Sequence, residues 1–583
     1  MPRWWTRLAS AAVALALVPV AAAADPLRLV PKDAGLVVVV ENPRKLAEAV
    51  RDLDAYRSAQ SLPAVREFLD STTARRFFQF VSYYERELGA KWPEILDQIA
   101  GGGIALGTQV GMDPAPVLLV AQGTDEAASA EFFKLAITAL EQETARQAAV
   151  GEAPAAKVRR AVHNGVETVH LGDEFHAARV GAVLYVSNKE AALNAGLDLK
   201  PGDSVADRSG PRTARKLVGG DPLAWLWLDF AKVKEGKQAK DFFAATRKDL
   251  FQTLIFGSSA DAFRRADFVA AGLHRTADGF TATIRLPAKR ADLHADLALH
   301  APASEKPGSL PLLEPKGVVY SQSFYLDLGA LWKERKTLIN EQQLKDIEEG
   351  EKQVSKFIPG PSVGKLLEMS GPYHRLVAVQ RAERPYSVIP DQAIPPFALV
   401  SSMRDPQFGK SAVSAMRAGA MLATFQVGLS MSEETHDGVT ITSYRFPEKK
   451  PFPGNGDPDN LRFNFVPCFA VVGDYLVVSS SPALVKDLIP ELKKTPDPAK
   501  CSPAVWRAKT YAAGIAQTIR DNPEPVVTNA VLSEGVGLDE AKKQVAALAD
   551  WVATLGAAGL SIDHGADAYE IKLEWKTGSS GER

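Results

Sequence analysis

Short apolar runs that stop at breakers alternate along the chain with longer stretches of helical period. Leu36 to Val40 is an apolar run halted by Asn42-Pro43, which predicts a strand and its end. Between Ala74 and Leu88, Phe77, Val81, Tyr84 and Leu88 fall on one helical face. Trp92 to Ile99 predicts a further helix, closed by Gly101-Gly102-Gly103. Ile104 to Leu106 and Val117 to Val120 read as strands, and Asp125 as the cap of a helix over Ala130 to Gln142. Asn164-Gly165 fits the turn geometry that matches strand twist, and a second hairpin runs through Asp278-Gly279. In its second arm Phe280, Ala282, Ile284 and Leu286 alternate with Thr281, Thr283 and Arg285, a half-buried strand whose polar face should point outward. Hairpins joined by helices predict α+β, mainly antiparallel sheet with helices packed on one face. No G-x-G-x-x-G follows a strand, so the dinucleotide fingerprint is missing.

The same landmarks come round twice. Leu29-Val30-Pro31-Lys32 is matched by Leu313-Glu314-Pro315-Lys316, Pro116 to Val120 by Pro396 to Val400, and His163-Asn164-Gly165-Val166 by His436-Asp437-Gly438-Val439. Gly181 to Ser187 is matched by Gly473 to Ser479, and Ala270 to Leu273 by Ala557 to Leu560. Five ordered matches at a separation of roughly 280 residues predict two homologous tandem halves, 25–305 and 306–583. The separation drifts where the second copy carries an extra loop, Glu448 to Asn460. The boundary is expected in Ala301 to Pro311, which has three prolines and a Gly-Ser pair.

The first 24 residues have the pattern of a secretory signal peptide. Arg3 and Arg7 precede the apolar run Leu8 to Val20, and Ala22-Ala23-Ala24 offers small residues before Asp25. The run is too short to span a bilayer, and no Cys follows it to carry a lipid anchor. The expectation is a periplasmic or secreted protein without an integral span. The 68 Lys+Arg against 70 Asp+Glu leave no footprint for nucleic acid. Hydrophobic residues at 46% and charged residues at 24% are ordinary globular values. The two cysteines, Cys468 and Cys501, could form the only disulfide, because strand, turn, strand and helix lead the chain back between them.

The Pro-x-Asp-Ala-x-apolar start (Pro31 to Val40), the helix ending Ile95-Leu96-Asp97-Gln98-Ile99-Ala100-Gly101-Gly102 and the strand Leu184-Tyr185-Val186-Ser187 resemble an uncharacterised family of bacterial exported proteins, a domain of unknown function. The resemblance implies an exported α+β protein and supplies no catalytic residues.

Catalytic chemistry is hard to find. His163, His170 and His176 lie close in sequence, yet His163 sits at a hairpin turn and polar decoration is the better reading. His274, His374 and His564 are isolated. Ser187, Ser479 and Ser480 follow apolar strands without bracketing glycines, so Ser187 and Ser480 read as helix caps rather than nucleophiles. Gly101-Gly102-Gly103 and Gly409-Lys410-Ser411 lack the rest of a phosphate loop and read as turns. Asn455, Asp457 and Asp459 alternate like the first ligands of a calcium loop, but Asn460 and Val466 stand where its Gly and Glu belong. Phe242, Phe243, Leu250, Phe251, Leu254 and Ile255 form an apolar stripe, preceded by alternating Trp225 and Trp227. These predict core first and a hydrophobic groove second. No catalytic residue and no cofactor is expected. The expectation is a non-enzymatic periplasmic or cell-envelope protein with a binding or structural role, its partner an unknown ligand or envelope protein. The alternatives are a hydrolase assembled from dispersed residues and a carrier of lipid or hydrophobic ligands.

Overall fold

The computed structural model describes residues 25–149, 158–236, 239–240, 250–303, 305–357, 361–381 and 384–577. The expected signal peptide, 1–24, and the stripe residues Phe242 and Phe243 lie outside them. The chain divides into two compact units: Met1–Ala244 with Ala266–Pro287, and Ala245–Arg265 with Ala288–Arg583. The boundary expected within 301–311 therefore falls inside the second unit. The reason is packing. Leu250 and Leu254 join Leu297, Leu299, Leu331 and Leu338 in one apolar cluster of that unit, so the segments that carry them stay together.

The first unit contains β1 (Leu36–Val40), β2 (Gly103–Thr108), β3 (Val117–Gln122), β4 (Val158–His163), β5 (Val166–Leu171), β6 (Phe175–Val180), β7 (Val183–Ser187), β8 (Ala224–Asp229), β9 (Phe268–Arg275) and β10 (Gly279–Leu286). They pair antiparallel in the order β10-β9-β8-β1-β2-β3-β7-β6-β5-β4. The second unit contains β11 (Val318–Tyr325), β12 (Ser370–Val379), β13 (Phe397–Met403), β14 (Ser430–His436), β15 (Val439–Arg445), β16 (Cys468–Val472), β17 (Tyr475–Ser479), β18 (Trp506–Tyr511), β19 (Ala557–His564) and β20 (Tyr569–Lys576). Their antiparallel order is β20-β19-β18-β11-β12-β13-β17-β16-β15-β14. Each strand of the first series thus has a counterpart at the same place in the second. The turns agree as well: Asn164-Gly165 and Asp437-Gly438 both take positive φ at both residues, the geometry that lets a two-residue turn follow strand twist.

The ladders also fix which residues share a face. Val39 lies between Ala105 and Trp225, and Ala105 faces Val120. At the corresponding place Ser323 lies between Arg375 and Arg507, and Arg375 faces Val400. One sequence match is out of step. Gly272 faces Trp225 whereas Ser561, not Gly559, faces Arg507. A shift of two residues keeps the same face inward.

Helices are expected on one face only; the first unit carries them on both. On one side Val37, Val39, Ala105 and Val120 pack with Leu193 from α4 (Glu190–Leu197) and with Ala214 and Val218 from α5 (Ser209–Val218). On the other, Ala121 and Leu184 meet Tyr84 of α1 (Thr72–Leu88), Ile95 and Ile99 of α2 (Trp92–Ala100), and Phe132 and Leu135 of α3 (Glu126–Ala149). Successive residues of these strands are apolar, so both faces need cover; each buried Phe or Leu contributes roughly 1.5–3 kcal/mol. Asp125 caps α3, its carboxylate accepting from the amides of Ala127 and Ala128.

In the second unit Val377, Val379, Ala398, Val400 and Val477 pack under Leu484, Val485, Leu488, Ile489 and Leu492 of α8 (Pro482–Leu492). On the opposite face Phe397, Leu399 and Val478 stay 43%, 39% and 39% exposed.

Strand β10 buries Leu286 as expected but departs from the expected alternation at Thr283 and Ile284. Thr283 is buried and Ile284 is exposed, because the neighbouring Arg285 reaches α5, donating to the carbonyls of Leu217 and Val218. Those are end-of-helix acceptors with no partner inside the helix.

Candidate functional site

The inner face of the second sheet holds a row of polar side chains where the first holds apolar ones. Ser321 and Ser323 of β11 are fully buried, as is Arg375 of β12 at 4% exposure. Directly opposed residues on antiparallel strands point to the same face, so Arg375, Ser323 and Arg507 stand side by side across β12, β11 and β18. The guanidinium of Arg375 stacks 4.7 Å from the Tyr475 ring centroid. Its Nε and Nη2 form the side-on edge that receives an oxyanion in two parallel hydrogen bonds. Among the described residues neither atom has a hydrogen-bond partner, nor do Arg507 Nε or the hydroxyls of Ser309, Ser321 and Ser323. Arg507 Nη2, on the same edge as its Nε, donates to the carbonyls of Leu310 and Lys500 at 2.7 Å each.

The electrostatics of this row are those of cations short of counter-charge. Burial pulls the pKa of Arg375 down, against the opposing pull of Tyr475 and Glu491. Burial does the same to Arg507, opposed by Cys501 and Glu314. The Cys501 thiol beside both is raised by burial and drawn back by the two arginines. Arg375 and the serines are buried, and the half-buried Arg507 and Cys501 stand at the edge of the row. A buried donor left without an acceptor costs about 1–3 kcal/mol, more when charged, and an oxyanion supplies what these groups lack.

A second cluster lies in the first unit. His170 is next to last in β5 and His176 second in β6, directly opposite one another across a tight hairpin. Their Nδ1 atoms are 2.7 Å apart, and His170 Nε2 is 2.8 Å from Thr168 Oγ1. Glu190, at the start of α4, places a carboxylate oxygen 3.9 Å from His170 Nδ1 and pairs with Arg159 at 3.2 Å. Burial lowers the pKa of His170, helped by Arg159 and opposed by Glu190. His170, His176 and Glu190 are the group of described residues whose ligand atoms converge as a metal ion requires.

The residues singled out from sequence fare differently. Cys468 and Cys501 are both free, so the expected disulfide is not formed. Cys468 is turned into the core, its thiol donating to the carbonyl of Ser479. Asp457 is not open to a cation. Its carboxylate caps the amides of Leu461 and Arg462 and pairs with the Arg462 guanidinium at 2.5 Å. Asp459 gives its backbone carbonyl to Asp391, and Asn455 lies in a short turn at Pro453–Asn455.

His163 rests on Asp198 at 2.9 Å beside its turn. His374 lies between Ser401 Oγ and the carbonyl of Leu326, His564 near Ser258 Oγ, and His274 near the carbonyl of Gly219. Ser187 and Ser479 each donate across to the neighbouring strand, to Val117 and Phe397 respectively. The cap of α8 is Ser481 rather than Ser480. Gly409-Lys410-Ser411 is helical, inside α7 (Pro406–Val427), with Gly409 set closely against Val471 and Met403. Trp225 and Trp227 are core.

Sequence reasoning missed both clusters. Residues 323, 375 and 507 meet only through strand register. The His170–His176 pair left one signal, two histidines symmetric about the glycine turn at Gly172.

The chain matches no protein-family model, and no curated protein matches it. Among solved structures, crystal form I of TP0453 is similar at 9% identity over 46% of this chain and 80% of that one, with a TM-score of 0.22. Crystal form III of TP0453 is similar at 10% identity over 47% and 83%, also at 0.22.

Proposed function

We propose that this chain is an exported, non-catalytic binding protein of the periplasm or cell envelope, built from two copies of one α+β unit. In this reading the second unit captures a ligand that carries an oxyanion group, a phosphate, sulfate or carboxylate. The observation that carries the proposal is the buried side-on edge of Arg375, with Arg507 Nε and the hydroxyls of Ser321 and Ser323 beside it and no acceptor for any of these atoms among the described residues. The matching row of the first unit, Val37, Val39, Ala105 and Trp225, is apolar and buried. The fold therefore does not itself require charge there. Two arginines supply charge and directional donors, and no nucleophile or base is needed to hold an anion.

Isothermal titration of the full exported chain with inorganic phosphate, with sulfate and with a small dicarboxylate tests this. One site per chain is expected for at least one of the three, weakened tenfold or more in Arg375→Met. An apolar replacement of a buried unpaired charge is tolerated by the fold. Equal binding by both proteins, or no binding of any of the three anions, contradicts the proposal. Fractionation of the exporting host should find the protein in the periplasm or medium.

The hydrolase alternative draws on the His170–His176 pair. Those imidazoles lie within hydrogen-bond distance of each other and of Thr168.

A further inference from the structure

We infer that His170, His176 and Glu190 form a binding site for one zinc-class divalent cation, present in the first unit only and independent of the anion site proposed for the second.

Three observations carry this. The first is convergence. Two imidazole nitrogens 2.7 Å apart and a carboxylate oxygen 3.9 Å away come from two strands and a helix and face one point. Zinc bonds of about 2.0–2.1 Å at tetrahedral angles put ligand atoms roughly 3.3 Å apart. The pair therefore opens by about half an ångström while the carboxylate closes by a similar amount, and Glu190, half exposed at the start of α4, makes that movement with its ion-pair partner Arg159 beside it. The second is orientation. His170 Nε2 lies 2.8 Å from Thr168 Oγ1, on the side of the ring away from the site; a partner on the far nitrogen is what fixes the ligating tautomer of a metal-bound histidine. Both rings are buried, at 2% and 4% exposure, so they are held in place.

The third is the other sheet. Ser443 faces Cys468, and Cys468 faces Ser479, as His170 faces His176 and His176 faces Ser187. The fold at this place accepts a small hydroxyl and a thiol. Two buried imidazoles and a carboxylate at the same place in the first unit are therefore a departure that the fold does not ask for. Two imidazoles and one carboxylate suit zinc, cobalt or nickel better than calcium or magnesium. The set leaves a fourth position for water or a ligand atom, and it would fasten the β5–β6 hairpin to α4.

The test uses the untagged chain recovered from its exporting host and stripped with a chelator. Zn²⁺ is titrated in competition with a chromophoric chelator, and Co²⁺ is added separately to read the visible absorption of a four-coordinate site. One ion per chain is expected, with a Co²⁺ spectrum of nitrogen and oxygen ligation. His176→Asn should abolish uptake. Glu190→Gln, a half-exposed position that leaves the core untouched, should weaken it tenfold or more and alter the cobalt spectrum. No stoichiometric uptake of Zn²⁺, or uptake unchanged in both variants, overturns the inference.

Discussion

Two sheets with one strand order put their polar groups in different places. In the first unit the row across β8, β1 and β2 is Trp225, Val39 and Ala105, while the outer hairpins carry the buried His170 and His176. In the second unit the row is Arg507, Ser323 and Arg375, and the outer hairpins carry Ser443 and Cys468. Each unit is thus the control for the other. What both share is what the fold needs: register, turn geometry and the apolar layer under one helix. What only one has calls for a separate explanation, and in both cases it is a set of ligand-ready side chains in a buried place.

The largest effect that sharpens this comparison is a core deletion. Trp227 is 2% exposed, with the Arg208 guanidinium 4.6 Å over its ring. Trp227→Ala should cost the first unit about 3–5 kcal/mol, read by hydrogen exchange in its strands. Lys509→Ala, at the matching ladder position, should cost under about 1 kcal/mol. A loss below about 1 kcal/mol for the tryptophan would break the claim that this face is core.

Acid should weaken the second unit next. His564 is buried near Ser258, and burial holds its pKa at about 4, with His300, Arg290 and Arg265 acting the same way and Asp261 against. The ordinary value is about 6.5. Above pH 6.5 the group is neutral folded or unfolded and contributes nothing. Between 6.5 and 4 only the unfolded chain takes the proton, so stability falls with pH, by up to about 3 kcal/mol in all, and is flat below. His374 is lowered by burial too and adds to the trend. Unfolding at pH 7, 5.5 and 4.5 should show the slope, and His564→Gln should flatten it; an unchanged slope counts against the burial of this ring.

Exchanging the rows is a smaller perturbation with opposite signs. Val39→Ser buries a hydroxyl without a partner in the first unit and should cost about 2 kcal/mol. Ser323→Val removes such a hydroxyl from the second and should be neutral or mildly stabilising, while weakening oxyanion binding. Equal destabilisation by both would show that the serines are needed for packing rather than for a ligand.

The smallest effect is chemical. Burial raises the Cys468 thiol to about 12, so in the native protein only Cys501, at the edge of the row, should react at pH 8. Two thiols should titrate after unfolding without reductant; none would mean a disulfide.

Much of the fold was legible in the sequence. Asn164-Gly165 and Asp437-Gly438 carry their turns in their side chains, and Val117 to Val120 and Phe397 to Val400 do take corresponding places in the two ladders. Those signals are local. The rows were not legible, because Ser321 and Ser323 alternate with Gln322 and Tyr320 and no apolar alternation marks a face there, and only register joins them to Arg375 and Arg507. Likeness between the halves drew attention to what repeats, whereas the chemistry sits where matched positions differ. Cys468 misled because sequence shows that the chain returns, not that the thiol faces the core. Asp457 was a weak cation candidate by spacing, and its carboxylate is taken by the amides of Leu461 and Arg462 and by the Arg462 guanidinium.

The account rests on the Arg375–Ser323–Arg507 row being a place for an oxyanion, and diffraction from crystals soaked in selenate tests that most directly. The predicted result is an anomalous peak within hydrogen-bond distance of Arg375 Nε and Nη2 in the native protein and none in Arg375→Met. A native crystal in which those two atoms are met by a protein carbonyl or carboxylate, with no selenate beside them, would contradict it.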